Sequence, residues 1–396
     1  MTRPVATLTH LVLLSLFAAC ATAPPGPAGE GEILRVALFN VKELDAVKVA
    51  RVDAEGRGLD PQLRAAAEII ARVRPDVLVL QEIDVPPDDP RAVAGAFVAA
   101  YLAPAGLDFP HLFTAPSNTG RLSGFDLDND GRVAAEADLG SRAWGDDSFG
   151  FGTYPGQYGM AVVSRLPLTA DRARTFRDYL WSELPGHNVP DGFYSPDELA
   201  VLPLSSKSHW DLPVEVAGRT LHLLVSHPTP PVFDGDEDRN GRRNFDEIAF
   251  WLRYLEDSPA LVDDRGRRGG LAADALFVLA GDLNADPLRP ATVIDGSTAI
   301  RQLLAHPRLL DPGDLLVSEG ARRHGRGGES LPEQVTAGFA GGMRVDYLLP
   351  SRRLEVVDGG VFWPDPETDP QGHRLATEAS DHRLLWLDLQ VPTASK

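Results

Sequence analysis

Short apolar runs separated by turn-forming residues recur along most of the chain. Ile33–Phe39 predicts a strand that ends in Asn40. Asp60-Pro61 predicts a helix start, with aspartate as the N-cap and proline at the first helical position. Leu63, Ala67, Ile70 and Val73 continue that helix at helical spacing, and Pro75 ends it. Val77–Leu80 reads as a buried strand running into Gln81-Glu82, and Met160–Ser164 as another. Val214–Val216 and Thr220–Ser226 flank Ala217-Gly218-Arg219 as a hairpin. Phe245–Leu255 predicts a mostly buried helix. Leu276–Ala280, Arg344–Leu349 and Leu384–Leu389 are further strands. Residues 115–157 and 176–209 carry little periodicity and read as long loops over a scaffold, where specificity commonly resides. The whole predicts one α/β domain over residues 32–392, with no internal repeat.

The first residues follow another pattern. Arg3 is the only charge before Cys20, and Leu8–Ala19 is mostly apolar. That run is shorter than the roughly 20 residues a membrane span needs. It fits the apolar core of a secretory signal. Phe17-Ala18-Ala19-Cys20 resembles a bacterial lipobox, with phenylalanine where leucine is more usual. We therefore expect a lipoprotein-type signal peptide at 1–19, lipidation of Cys20, and a Pro/Ala/Gly tether at 20–31. Plain secretion with cleavage near Ala19–Ala23 is the alternative. The expected location is the bacterial cell envelope, as an outer-membrane or periplasmic lipoprotein that meets the membrane through its N-terminal lipid only.

Charge narrows the function. The chain has 38 Lys+Arg against 57 Asp+Glu, a net charge of −19. Such a surface is ill-suited to holding nucleic acid by its field, which needs cations facing phosphates. It suits a divalent-metal enzyme acting on a small anion. A single cysteine excludes an intramolecular disulfide framework and a cysteine-based zinc site. No Gly-x-Ser-x-Gly elbow or His-Glu-x-x-His pair is present, so esterase and zinc-protease readings fail.

Strand after strand ends in a polar residue: Asn40, Glu82, His227 after the hairpin, Asp282 with Asn284, and Asp381-His382 before the last strand. Ends of this kind gather hard oxygen and imidazole groups at one edge of a rigid scaffold. The ordered motifs are Phe39-Asn40-Val41, Leu80-Gln81-Glu82, Ser226-His227, Gly281-Asp282-Leu283-Asn284, Arg344-Val345-Asp346-Tyr347 and Ser380-Asp381-His382. Over residues 32–390 they resemble the endonuclease/exonuclease/phosphatase superfamily. The resemblance implies a four-layer α/β/β/α sandwich with two central mixed sheets. It implies that Glu82 is the principal ligand of Mg2+ (or Mn2+), with Asn40 and Asp381 completing the ligands or their surroundings. Asp282 would orient or deprotonate the attacking water, and Asn284 would hold that water or the phosphate. Asp346 would fix His382, which would act as a base or stabilise phosphorane charge. His227 would donate to the phosphate or protonate the leaving oxygen. Tyr158 sits where relatives often place a phosphate-contacting residue, against a plain core tyrosine. Lys42 replaces an acidic residue found in some relatives, with Glu43 adjacent.

Two acidic loops invite Ca2+. Asp236, Asp238, Asn240, Gly241 and Glu247 match the EF-hand spacing, but the prolines at 228, 230 and 231 forbid the preceding helix. A structured loop braced by Arg243, Asn244 and Glu247 is the preferred reading. Asp126, Asp128, Asp130 and Gly131 form an incomplete match, with Ala137 at the place of the bidentate glutamate. The substrate expected is a phosphorylated small molecule or a nucleic acid, with phosphatase ahead of nuclease and the chain monomeric. A calcium-stabilised surface lipoprotein without chemistry is the competing class.

Overall fold

The computed structural model describes residues 31–324 and 332–393. The leader at 1–19, Cys20 and residues 20–30 of the tether lie outside them. Gly31, expected in the tether, already begins the first strand.

The strands in chain order are β1 (Gly31–Leu44), β2 (Val77–Ile83), β3 (His111–Phe113), β4 (Gly159–Ser164), β5 (Arg174–Thr175), β6 (His209–Val216), β7 (Arg219–Ser226), β8 (Leu276–Asp282), β9 (Asp346–Pro350), β10 (Glu355–Val361) and β11 (Leu385–Pro392). They form two sheets, ordered β10-β11-β1-β2-β4-β3 and β5-β6-β7-β8-β9. Both sheets are mixed, with β1–β2 and β7–β8 parallel.

Three apolar cores define four layers. Val36, Leu38 and Val79 of the first sheet meet Leu212, Leu223 and Val278 of the second. On the outer face of the first sheet, Phe39 and Leu80 pack with Leu63 and Ile70 of the helix Pro61–Val73. On the outer face of the second, Leu224 and Leu279 pack with Ile248 and Trp251 of the helix Arg239–Leu255. Strands buried on both faces read as near-continuous apolar runs, which is why they were visible in the sequence. Trp251 is fully buried and donates from Nε1 to Ser226 Oγ at 2.8 Å, pinning its helix to the end of β7. Replacing it by alanine would cost about 3–5 kcal/mol.

The Asp60 cap forms as expected, its side chain accepting from Leu63 N, with Pro61 opening the helix. The hairpin is tighter than expected: Val216 pairs with Arg219 across Ala217-Gly218. Both turn residues have positive φ, the twist a two-residue hairpin needs. The second long helix starts at Arg239 rather than Phe245, because its polar first turns carry no apolar periodicity. β10 and the helix Pro370–Ala379 were not anticipated. β10 is an edge strand with mostly solvent-facing residues, so it lacks a buried-strand signature.

Candidate active site

The site is the continuation of the middle core. Side chains two apart on a strand share a face. Leu34, Val36 and Leu38 face the gap between the sheets, and Asn40 is next in that series. Val77 and Val79 lead to Gln81, Val278 and Ala280 to Asp282, and Leu223 and Val225 to His227. On β9, Leu348 faces the gap and Asp346 precedes it by two. The apolar filling thus gives way to polar groups at one end of the sandwich.

Gln81 bridges the sheets there. Its Nε2 donates to Ser226 O at 2.8 Å, and its Oε1 accepts from Asp282 N at 2.7 Å. Glu82 sits at a register irregularity in β2, with φ of +57°. Such a bulge re-aims a side chain. The Glu82 carboxylate thereby reaches the Asn40 amide, whose Nδ2 donates to Glu82 Oε1 at 3.0 Å and to Asp282 Oδ2 at 3.1 Å. Backbone strain concentrates here. Lys42, Glu43, Glu82, Tyr158 and Asn284 all have positive φ without being glycine. Each costs on the order of 1–3 kcal/mol and persists only where the surroundings enforce it.

Asp282 Oδ2 is the focus. His227 Nε2 and His382 Nε2 each stand 3.6 Å from it, beyond hydrogen-bond range. On the far side of its ring, His382 Nδ1 donates to Asp346 Oδ2 at 3.0 Å. Burial opposes charge on His382, but Asp346 and Asp282 outweigh it and raise its pKa to about 10. His227 goes the other way: burial, then Lys207 and His382, hold its pKa well below the usual histidine value. Its Nδ1 is buried with no partner among the described residues. Burial also raises the Asp282 carboxyl to about 7, with His382 pulling it down and Asp346 and Glu82 pushing it up.

Asn284 N donates to Asp282 Oδ1 at 3.0 Å, and its side-chain Nδ2 donates to Pro228 O at 3.1 Å, tying the β8 end to the His227 segment. Asp381 stands apart from the focus. Its carboxylate pairs with Lys42 Nζ at 2.9 Å. Burial opposes its charge, but Lys42 and His382 outweigh that and hold its pKa below the ordinary value. Lys42 and Asp381 line a cleft of about 530 Å³ with Phe339, Trp363 and His373. Tyr158 is half-buried and donates to Glu43 Oε1 at 3.4 Å; burial, then Glu43 and Glu82, push its pKa to about 12.

Ligand atoms of Glu82, Asp282 and His382 lie within 4.8 Å of one another. Oxygen donors of this kind suit a hard divalent ion. A histidine kept protonated by two carboxylates suits hydrogen-bond donation better than metal ligation. A second acidic group joins Asp126 and Asp128 to Asp147. Asp147 lies beyond the twelve-residue spacing, so sequence spacing could not reveal it. At 236–247 the preferred braced loop forms and the calcium alternative falls. Glu247 is buried within a helix, where its Oε1 accepts from Ser206 N at 2.8 Å and its Oε2 from Thr229 N at 2.6 Å. Asp238 accepts from the Thr292 hydroxyl. These carboxylates do not converge, and no EF-hand forms. Arg243 donates to the carbonyls of Leu204, Phe149 and Pro203, and Asn244 to those of Thr229 and Leu283.

The family model described as "Endonuclease/Exonuclease/phosphatase family" matches residues 37–382. Among solved structures, an endonuclease/exonuclease/phosphatase from Beutenbergia cavernae DSM 12333 is 20% identical, with a TM-score of 0.50 over 91% of this chain and 72% of that one. A family protein from Leptotrichia buccalis C-1013-b is 13% identical, with a TM-score of 0.48 over 90% and 100%. Sphingomyelinase C from Streptomyces griseocarneus is 16% identical, with a TM-score of 0.43 over 90% and 99%. No curated protein sequence matches. At such identities a structural likeness speaks to the fold alone.

Proposed function

Because the chain belongs to the endonuclease/exonuclease/phosphatase family, we propose that it is a divalent-metal-dependent phosphoesterase that favours small phosphate esters. The observation that carries this reading is the convergence of two imidazoles and an amide on one oxygen of Asp282, beside the Glu82 carboxylate. Glu82, oriented by Asn40, would hold Mg2+ or Mn2+. The ion would neutralise charge on phosphoryl oxygens and acidify bound water.

The chain's own groups divide the remaining work. Asp282, with its carboxyl raised to about 7, accepts the proton of the attacking water. His382, kept charged by Asp346, donates from Nε2 to a phosphoryl oxygen and stabilises charge that develops there. His227 is neutral and donates a hydrogen bond rather than a proton. Asn284 braces the loop that carries His227. The cleft beside Asp381 and Lys42 would take the remainder of the ester.

Small substrates are favoured over nucleic acid by more than the net charge of −19. Several arginines that lie close together in the sequence are paired within the molecule. Arg239 pairs with Glu237, Arg267 with Asp263, Arg322 with Glu319, and Arg323 with Asp365 and Glu367. Arg243 is buried on carbonyl oxygens. Cations paired in this way are less available to track a phosphate backbone. The same reading keeps the chain at the cell envelope, anchored through lipid on Cys20; fatty-acid labelling that is lost in Cys20→Ala checks it.

The test is to deplete the protein of metal, return Mg2+, Mn2+ or Ca2+, and compare an aryl phosphate monoester, an aryl phosphate diester and plasmid DNA. Metal-dependent monoester cleavage with intact plasmid is expected. Plasmid cleavage would make it a nuclease, and silence on all three with every metal would favour a non-catalytic surface protein.

A further inference from the structure

A cation near the site that the proposed chemistry leaves unused is Lys207, a residue outside every motif. It is 6% exposed and precedes β6. His209 pairs with Ser226 across the β6–β7 ladder, so the chain just before β6 runs beside His227 and Pro228. The segment is held in place from three sides. Asn118 N donates to Lys207 O at 3.0 Å, and Asn118 Nδ2 donates to Ser205 O at 2.9 Å. Glu247 accepts from Ser206 N, and Arg243 donates to Leu204 O. A Cβ on Gly150 would meet Ser206 O at 1.8 Å, so even the neighbouring loop is built around this backbone.

Against so much anchoring of the backbone, the ammonium is unpartnered. No ion pair or hydrogen bond reaches it among the described residues, although the residue as a whole is buried. Burial holds its pKa below the ordinary lysine value, Glu247, Glu82 and Asp282 oppose that shift, and it acts in turn on His227. An ammonium fixed among the groups of the site, yet bonded to none of them, lacks an anion.

We infer that Lys207 is a substrate-binding residue whose ammonium takes a non-bridging phosphoryl oxygen, and that this second cation selects the dianionic end of a phosphate monoester over a diester. The inference rests on the phosphoesterase reading and narrows it to a substrate class. A lysine is a compact point charge suited to such an oxygen. The dianion of a monoester carries one more negative charge than a diester and gains more from it.

The test uses the full chain loaded with Mn2+ and the variants Lys207→Met and Lys207→Gln. Inorganic phosphate binding is measured by calorimetry, and kcat/KM is measured for an aryl monoester and an aryl diester. Phosphate affinity should fall about 10- to 100-fold, as for loss of a charge-assisted hydrogen bond. Monoester kcat/KM should fall by a similar factor and the diester by less. The thermal midpoint should not fall, since an ammonium without a partner adds little to stability and its desolvation opposes folding. Unchanged phosphate affinity, or an unchanged monoester-to-diester ratio, overturns the inference. So does unfolding of both variants, which would make the ammonium a structural group. The two readings fail separately. Wild-type protein that binds phosphate through Lys207 but cleaves neither ester defeats the phosphoesterase reading alone. Cleavage with undiminished phosphate affinity in the variants defeats Lys207 alone.

Discussion

Among the described residues, two groups that include acidic side chains lie close enough to share an ion, and they are built in opposite ways. At the end of the sandwich, Glu82 and Asp282 come from strands of different sheets. Asp282 Oδ1 accepts from Asn284 N, but Glu82 Oε1 and Asp282 Oδ2 meet the Asn40 amide, and two imidazole nitrogens face Asp282 Oδ2 without bonding to it. In the 126–147 region the carboxylates are turned on their own backbone. Asp126 accepts from Asp130 N and Gly131 N, and Asp147 from Leu127 N and Ala134 N. These contacts shape a loop, as aspartates in turns commonly do. Proximity of carboxylates is therefore a weaker sign of chemistry than what those carboxylates are bonded to.

The strongest way to break this contrast is by mutation of activity. Glu82→Ala and Asp282→Asn should each lower kcat/KM about a thousandfold or more, with the fold intact by circular dichroism. Asp126→Asn and Asp128→Asn should leave it near wild type. A large loss in the second pair would erase the distinction. Asp346→Asn keeps the shape but removes the charge behind His382, and should cost about 100-fold in kcat. A wild-type rate there would show that His382 needs no such partner.

Metal binding sharpens the comparison next. An ion at about one hundred times its Kd should stabilise the wild-type protein by about 2.7 kcal/mol. A thermal melt should lose that gain in Glu82→Ala and keep it in Asp128→Asn. The smallest effect belongs to the loop: Asp147→Ala leaves two buried amides without acceptors and should cost about 1–3 kcal/mol in stability. Turnover of the folded variant should be unchanged, and reduced turnover would link the loop to the chemistry.

The strand-end group was legible in the sequence, and the loop group only in part, since Asp147 lies outside the spacing that picks out Asp126 and Asp128. Asn40, His227, Asp282 and Asp346 continue the two-residue alternation of apolar positions, so they are visible wherever the strand is visible. Glu82 is the exception, at a bulge that re-aims it. Gln81 was legible only as part of a motif, because its bridging role depends on β7 and β8, far away in sequence. Lys207 was hidden for a similar reason, since the backbone that carries it is held by Asn118 and Glu247, far away in sequence. At 236–247 the prolines before the loop were the better guide, because ligand spacing says nothing about whether Glu247 turns toward its loop or toward Ser206 and Thr229. β10 escaped because an exposed edge strand carries no apolar alternation.

One measurement bears most directly on the contrast between the two groups: anomalous diffraction from crystals of the full chain soaked in Mn2+. The account predicts a peak against Glu82, close to Asp282 and Asn40, and none at the same concentration between Asp126, Asp128 and Asp147. A peak confined to the 126–147 region, with the strand ends empty, would contradict it.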